Sequence, residues 1–563
     1  LQWTRESLHF IRPIHDESFT IIMVYAQPSL GRWTPAVSTG GTLADKKSLR
    51  DLLVTLKAPI IVTDRGATST GTVCFDGSAS DGSPVCAMVA PLPLEHCGDR
   101  QFCATHGVLY PMVGGSMAKG ISSADIAIEL GKNGMIGFFG SAGLPLELVD
   151  QTIQRLQRAL PHGPFGVNLI HSPNEPDLEN ALVDLYIKRQ VQLIEASAFL
   201  AMSLSVVRYR VHGIHRNDQG EVVTPNRIIA KISREEVARQ FLSPPPQKML
   251  DQLVSQGHIS ADQAVLAQQI PMAEDITAEA DSGGHTDNRP ALSLFPTICA
   301  LRDELQARYA YQVRPRVGLA GGIATPLSAA AAIAMGAAYL VTGTVNQACC
   351  ESGTSDMVRQ MLAEARQADI AMAPAADMFE MGVDVQVLKR GTMFSMRAAK
   401  LYDLYRRYDS LDQIPADERD KLEKTFFRAS LNDVWTSTRA FFLQRDPRQV
   451  QRAEQDPKHL MALVFRSYLG QATHWANDGD ESRRMDFQIW CGPSMGAFNE
   501  WVRGSFLEQP QQRRVACVNL NILFGAAVLT RANSLRQQGV AIDMNEILPT
   551  PLTTEQIKEY LRD

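Results

Sequence analysis

Residues 279–290 read Glu-Ala-Asp-Ser-Gly-Gly-His-Thr-Asp-Asn-Arg-Pro, which places His285 directly behind two residues without side chains, Gly283 and Gly284. The segment follows a short apolar run, Ile276 to Ala280, that reads as a strand. A flat ring can lie close to a glycine backbone, and here it would meet an imidazole at the strand end. Imidazole titrates near neutral pH, so it can hydrogen-bond a carbonyl or pass a proton. Gly-Gly-His alone is also the composition of a turn carrying a solvated histidine.

A second glycine pair shifts the balance. The sequence runs Val317-Gly-Leu-Ala-Gly-Gly-Ile-Ala-Thr-Pro, then an alanine-rich helix from Ser328 to Met335, then Ala338-Tyr-Leu-Val-Thr-Gly-Thr344. Strand, glycine loop, helix, strand and Gly-Thr is the order by which the last loops of a (β/α)8 barrel hold a phosphate on backbone N–H groups and a helix N-terminus. Together the two motifs predict a flavin pocket, with phosphate on one set of loops and the ring beside His285.

Elements that could position these groups follow in register. Short apolar runs at Tyr110–Val113, Met135–Phe139, Gly166–Ile170, Leu193–Ala196, Arg227–Ile232, Ile276–Ala280, Arg316–Leu319 and Tyr339–Thr342 alternate with amphipathic stretches. Parallel strands need long crossovers and helices fill them, so the expected fold is α/β, a TIM barrel. Ser122 or Ser123 caps a helix carrying Ile126, Ile128 and Leu130. Pro244-Pro245-Pro246 opens an insertion over about 240–272, with helical patterns at Lys248–Gln256 and Ser260–Gln269, expected beside the barrel mouth. The expected domains are a small N-terminal lobe at 1–105, the barrel at 106–355 and a mainly helical region at 356–563. In the lobe, Thr20–Tyr25 and Pro59–Val62 read as strands among loops containing Gly40-Gly41 and the Asp76–Ser83 stretch. In the helical region, Leu401, Leu404, Tyr405 and Tyr408 recur at helical spacing, and Ala416–Arg445 is rich in helix formers.

With 563 residues, 45% hydrophobic and 21% charged, the composition is that of a globular protein with room for more than one core. A net charge of −6 offers no basic field, which excludes nucleic acid as the main partner. The most apolar segments, including Asn519–Leu529, are shorter than a membrane helix requires. No signal-peptide pattern stands at the start, so a cytoplasmic location without membrane contact is the expectation. Cys74, Cys86, Cys97 and Cys103 interleave with His96 and His106 but lack a Cys-x2-Cys pair, so no metal site is expected.

These motifs resemble a known family. The barrel is similar to the flavin barrels of nitronate monooxygenase and the FMN-dependent enoyl reductases. From about residue 106 to 531 the chain more specifically resembles the PfaD family, the trans-acting enoyl reductases of polyunsaturated fatty acid synthases and of polyketide synthases with free-standing acyltransferases. The marks are Pro111-Met-Val-Gly-Gly-Ser-Met-Ala, Gly137-Phe-Phe-Gly-Ser-Ala-Gly, Glu279 to Pro290, Ala376-Asp-Met-Phe-Glu-Met-Gly, Gln386-Val-Leu-Lys-Arg-Gly-Thr-Met-Phe and Asp486-Phe-Gln-Ile-Trp-Cys-Gly-Pro-Ser-Met-Gly-Ala-Phe-Asn.

The resemblance implies FMN as cofactor, NADPH as hydride donor, and an enoyl thioester on acyl carrier protein as substrate, with polyketide or fatty acid synthase components as partners; a homodimer stays open. It implies that Met112, Val113, Gly114 and Asn168 contact the flavin ring, with Ser282, Gly283, Gly284 and Lys231 beside it. It places the phosphate on Gly321, Gly322, Ile323, Gly343 and Thr344. His285 is then the first candidate to polarise the thioester carbonyl or donate a proton, and Lys231 the second. No second Gly-x-Gly-x-x-Gly turn is present, so NADPH and substrate are expected to share one mouth in turn. Residues Gln386–Tyr408, with Met393, Phe394 and Met396 and a basic set including Arg406 and Arg407, are expected to wall the acyl channel. A nitronate-oxidising flavoenzyme and a non-catalytic synthase scaffold are the alternatives.

Overall fold

The computed structural model describes residues 30–34, 49–64, 66–69, 72–74, 82–173, 175–547 and 550–562. The Thr20–Tyr25 run, Gly40-Gly41 and most of the Asp76–Ser83 stretch lie outside them. The chain forms two compact units, Leu1–Pro93 with Val528–Leu548 and Tyr560–Asp563, and Leu94–Ala527 with Pro549–Glu559. This differs from the three domains expected from sequence, because barrel and helical region make one unit and the N-terminal segment joins the end of the last long helix.

The smaller unit holds a five-stranded antiparallel sheet in the order 66–68, 60–63, 83–89, 32–34, 72–74. In the same unit, Arg531 is fully buried and donates to the carbonyls of Leu53 at 2.9 Å and Ala58 at 2.6 Å. These carbonyls lie at or just past the end of the helix Leu49–Val54, so the guanidinium satisfies acceptors that helix geometry leaves open.

In the larger unit all eight expected strands form one closed parallel barrel. They are β1 Met112–Gly114, β2 Ile136–Phe139, β3 Gly166–Ile170, β4 Leu193–Ser197, β5 Arg227–Ile232, β6 Asp275–Glu279, β7 Arg316–Ala320 and β8 Leu340–Thr342. Closure comes from β8 on β1, with Val341 opposite Val113. Each strand is buried along most of its length, as a parallel sheet covered by helices requires. Ser123 is the residue that caps the helix Ala124–Lys132, accepting from Asp125 and Ile126, whereas Ser122 donates to the Phe138 carbonyl inside the barrel.

The helix Arg100–His106 closes the N-terminal end of the barrel. Phe102 stacks on Tyr339 at 4.3 Å, and His106 Nε2 meets Asp275 Oδ2 at 2.8 Å. Asp275 opens β6 and also accepts from Arg316 at 2.6 and 3.0 Å. Burial alone would push its carboxyl up, but Arg316 and His106 outweigh that and hold it down at about 2.

The inserted helices Gln247–Ser255 and Ala261–Ala267 form as expected, the second with a Ser260/Gln263 capping box. They pack on the crossover helix Leu204–Val211, and neither lines the barrel mouth. The region after β8 is not purely helical. Strands Ile370–Pro374 and Asp384–Leu388 form an antiparallel hairpin, and Gly284–His285 adds to it as a third strand. Around this sheet pack Phe379, Phe394, Leu401, Phe465 and Tyr468.

The helix Val515–Gln537 has a mean hydropathy of 1.6 over its most apolar stretch, long and apolar enough to cross a membrane, contrary to the reading of Asn519–Leu529 as too short. That stretch is 94% buried in the protein, as in the core helix of a globular fold. Asn519 on it accepts from Thr342 Oγ1 at 2.7 Å and donates to Asn346.

Asp275→Asn leaves the buried Arg316 without its counter-charge, and urea unfolding is expected to show a loss of about 3–5 kcal/mol at neutral pH. Because the Asp275 pKa is depressed in the fold, the wild-type advantage is present above the ordinary carboxylate range. It should close as pH falls from about 4 towards 2.

Candidate active site

A cavity of about 1230 Å³ opens where the barrel strands end at their C-terminal side. Single small-molecule sites usually occupy about 300–1,000 Å³, so this one has room for two ligands or one long one. Loops after β1, β2, β3, β4, β6, β7 and β8 supply its floor, and the hairpin turn at Ala376–Met378 and two long helices supply its walls.

Three carboxylate-centred groups organise the floor. Glu195 stands fully buried in β4, where Ser116 donates to its Oε2 through both backbone N–H, at 2.8 Å, and hydroxyl. Its Oε1 is buried and finds no partner among the described residues. Lys231, on β5, sits 3.8 Å from Glu195 and 3.3 Å from Glu279 on β6. Burial works against the ammonium charge, but the two carboxylates outweigh it and raise the Lys231 pKa. Burial raises that of Glu195, offset in part by Lys231 and Ser116.

His285 Nε2 lies 3.1 Å from Asp377 Oδ1. Both remain partly open to the cavity, with 30% and 49% of their side chains exposed. Enclosure in the cavity wall disfavours the imidazolium, yet Asp377 overrides it and raises the His285 pKa. The same pairing overrides desolvation at Asp377 and holds its carboxyl at about 2. Asp377 belongs to the Ala376-Asp-Met-Phe-Glu-Met-Gly motif, which forms the turn between the two hairpin strands.

The Gly283-Gly284 pair has a second physical reason beside the one expected. A Cβ on Gly283 would fall 2.9 Å from the Cys491 and Gly492 backbone, and one on Gly284 would lie 3.8 Å from the Trp490 ring. The glycines therefore admit the Trp490-Cys491-Gly492 segment against the strand end while also facing the cavity. Gln386 ties the same loop down, donating to Asp281 Oδ1 at 2.8 Å and the Ser282 carbonyl at 2.7 Å.

On the loops after β7 and β8, Gly321 has φ +82° and its Cβ would meet the Ala280 carbonyl carbon at 2.5 Å, so only glycine fits. A Cβ on Gly322 or Gly343 would meet nothing within 4 Å. The N–H groups of Gly322, Ile323 and Gly343 meet no protein acceptor among the described residues. Thr344 Oγ1 accepts from Gly492 N at 3.2 Å, which leaves its proton to donate. The following helix, Pro326–Ala334, is closed by its own Thr325/Ser328 capping box, so the open donors are those of the loop and not of the helix N-terminus.

Other expected positions shift. Met112, Val113 and Gly114 are buried in β1 and do not line the cavity; Gly115 to Lys119 do. Asn168 lines it, but its amide nitrogen donates to the Glu195 carbonyl at 3.0 Å and to Ser197 Oγ at 2.8 Å, which leaves its side chain only an acceptor to offer. The Gln386–Tyr408 stretch does not wall the cavity. Phe394 is in the helical core, Met396 is 68% exposed elsewhere, and Arg407 pairs with Asp403 at 2.9 Å. The walls are instead the helices Leu431–Arg445, through Thr438, Phe441 and Phe442, and Pro457–Asp478, through Arg466, Gly470 and His474. Sequence reasoning missed Glu195, Glu279, Ser116 and Asp377 as site groups. A charged residue inside the apolar run Leu193–Ala196 was the available signal for Glu195.

Free backbone donors, a Lys–Glu cluster and a His–Asp pair converge at the C-terminal strand ends, the face on which barrel proteins carry their active sites. The chain belongs to the nitronate monooxygenase family, whose pattern matches residues 101–412, and within it to the PfaD-like enoyl reductases. Residues 408–487 match the inserted helical domain of acyl-carrier-protein S-malonyltransferase. A polyunsaturated fatty acid synthase component of Thraustochytrium sp. is 46% identical over 89% of this chain and 34% of its own length. Polyketide biosynthesis protein PksE of Bacillus subtilis is 43% identical over 78% of this chain and 57% of its own. This chain thus spans about a third to just over half of those relatives. The crystal structure of the enoyl reductase domain of MlnA, from the macrolactin biosynthesis cluster of Bacillus amyloliquefaciens, is 39% identical with a TM-score of 0.74, covering 79% of this chain and 99% of that one.

Lys231→Met removes the cation between two carboxylates. Thermal unfolding at neutral pH is expected to show a loss of about 3 kcal/mol. The loss should narrow as pH falls through the raised Glu195 range, because a protonated Glu195 no longer needs the partner.

Proposed function

We propose that the chain is an FMN-dependent enoyl reductase that uses NADPH to saturate the α,β-double bond of enoyl thioesters on acyl carrier protein, in polyketide or polyunsaturated fatty acid synthesis in the cytoplasm. The observation that carries this reading is one cavity in which open backbone donors, Lys231 and the His285–Asp377 pair meet. The names of the relatives support it, since they are synthase components and an enoyl reductase domain.

The residues fit the cofactor. Backbone N–H groups of Gly322, Ile323 and Gly343 meet no protein acceptor among the described residues; Ile323 is buried, and Gly322 and Gly343 lie beside open space where a side chain would otherwise stand. Those groups and the Thr344 hydroxyl would hold the phosphate, with Lys231 close to the ring. FMN bound there would supply the hydride chemistry of the reaction. Saturating the β-carbon leaves negative charge on the thioester carbonyl and requires a proton at the α-carbon. His285, whose pKa Asp377 raises, hydrogen-bonds that carbonyl or donates that proton, and Lys231 contributes a positive charge beside it. The cavity volume and its two helical walls favour a long carrier-borne chain over a small nitronate.

Gly322→Leu directs a side chain into the space proposed for the phosphate, at φ +80°. The protein is expected to purify folded by circular dichroism but without flavin absorbance, and full FMN occupancy would refute the phosphate assignment. His285→Ala should keep the flavin and its bleaching by NADPH yet slow enoyl reduction by about 10²-fold in stopped-flow. Because Asp377 raises the His285 pKa, Asp377→Asn should move the alkaline limb of the kcat profile to lower pH. Wild-type enoyl reduction by His285→Ala would show the histidine to be structural.

A further inference from the structure

Lys119 stands in the loop after β1 and lines the cavity, with a backbone φ of +56° that is uncommon for a lysine. Its ammonium donates to the Gly470 carbonyl at 2.7 Å, and no carboxylate lies within ion-pair reach of it among the described residues. The carboxylates on this side are already held. Asp377 faces His285, Glu175 takes both arms of the Arg445 guanidinium at 2.5 and 2.9 Å, and Arg448 meets Asp177 and Asp446. Glu380 is shared by His459 at 2.9 Å and Arg466 at 3.5 Å.

Arg466, Gly470 and His474 are four residues apart on the helix Pro457–Asp478, so they share one face, each step rising about 6 Å. All three line the cavity. With Lys119 docked at Gly470, this face carries a row of nitrogen donors roughly 12 Å long. A Cβ on Gly470 would meet nothing within 4 Å, so there is open space at the middle of the row, although glycine is a poor helix former. Burial, helped by Arg445 and opposed by Asp377, lowers the Lys119 pKa to about 8, and burial with Lys119 lowers that of His474, which Asp478 partly offsets. A desolvated cation lacking a counter-ion is relieved by a bound anion.

We propose that Lys119, Arg466 and His474 form a phosphate seat for the incoming substrate, separate from the backbone donors of Gly322, Ile323 and Gly343. The ligand is a phosphate ester, and two sources present one at this mouth: the phosphopantetheine arm of a carrier protein and the 2′-phosphate of NADPH. The identity of these sources rests on the function proposed above; the seat itself rests on the geometry.

Calorimetric titration of the FMN-loaded protein tests it with two ligand pairs, pantetheine 4′-phosphate against pantetheine and NADP⁺ against NAD⁺. Wild type should prefer the phosphorylated member of at least one pair. Lys119→Met should cut that preference by about tenfold or more, and Lys119→Arg should retain most of it. A loss confined to the first pair assigns the seat to the carrier arm, and one confined to the second assigns it to the dinucleotide. His474→Gln, at a cavity-exposed position, gives the same reading should Lys119→Met fold poorly. No phosphate preference in wild type, or an undiminished preference in the variants, overturns the proposal. A preference lost as expected in a protein that does not reduce enoyl thioesters would keep the seat and overturn the reductase reading instead.

Discussion

The antiparallel pairing of Gly284–His285 with Val385–Gln386 is the contact on which the site depends. It is two residues long, and it converts the loop after β6 into the edge of a sheet whose other strands come from about a hundred residues further along the chain. Backbone hydrogen bonds fix the direction of a strand residue more firmly than a loop can, so the imidazole is aimed by the hairpin and not by the barrel alone. Asp377 lies in the turn of that same hairpin, which brings the histidine and its carboxylate partner together as a single unit. The Trp490-Cys491-Gly492 segment then closes over the pair of glycines, with Cys491 N donating to the Gln386 carbonyl at 3.3 Å.

Charge is distributed around the barrel with its two ends serving different purposes. At the N-terminal end, Asp275, Arg316 and His106 are almost wholly buried and mutually satisfied, which fixes the strands and leaves nothing for a ligand. At the C-terminal end the balance is incomplete. Among the described residues Glu195 retains an unpartnered oxygen, Lys231 serves two carboxylates, and His285 pairs with Asp377 while open to the cavity. Incomplete satisfaction at one end of an otherwise well-paired barrel is what a reactive site requires, since a fully bonded group has no capacity left for a substrate.

The helical region turns a shallow barrel mouth into a deep cavity. Its long helices Leu431–Arg445 and Pro457–Asp478 stand over the strand ends and bring both aromatic surface, from Phe441 and Phe442, and polar groups, from Arg466 and His474. Their own packing rests on Phe465, Tyr468 and Leu469, which face the hairpin and the helix Phe394–Arg407. The stretch Gln386–Tyr408 therefore acts one layer behind the cavity, as support for the elements that line it.

Periodicity alone was enough to find the eight barrel strands, because buried parallel strands are short continuous apolar runs and their crossovers are amphipathic helices. The glycine loops were legible for a similar reason: a φ of +82° beside the Ala280 carbonyl admits one residue type, so the sequence must display it. What pairs with what was not legible. Asp377 lies 92 residues from His285, and Lys119 lies 351 from Gly470, distances over which no local pattern carries information. Glu195 looked like an ordinary strand residue until β5 and β6 placed Lys231 and Glu279 around it. The hairpin edge strand was hidden inside a loop because two residues cannot show a period. Local physics thus determined the scaffold and the positions that must be glycine, whereas partner, protonation and the course of the cavity were decided by long-range packing, which acts only once the chain has closed on itself.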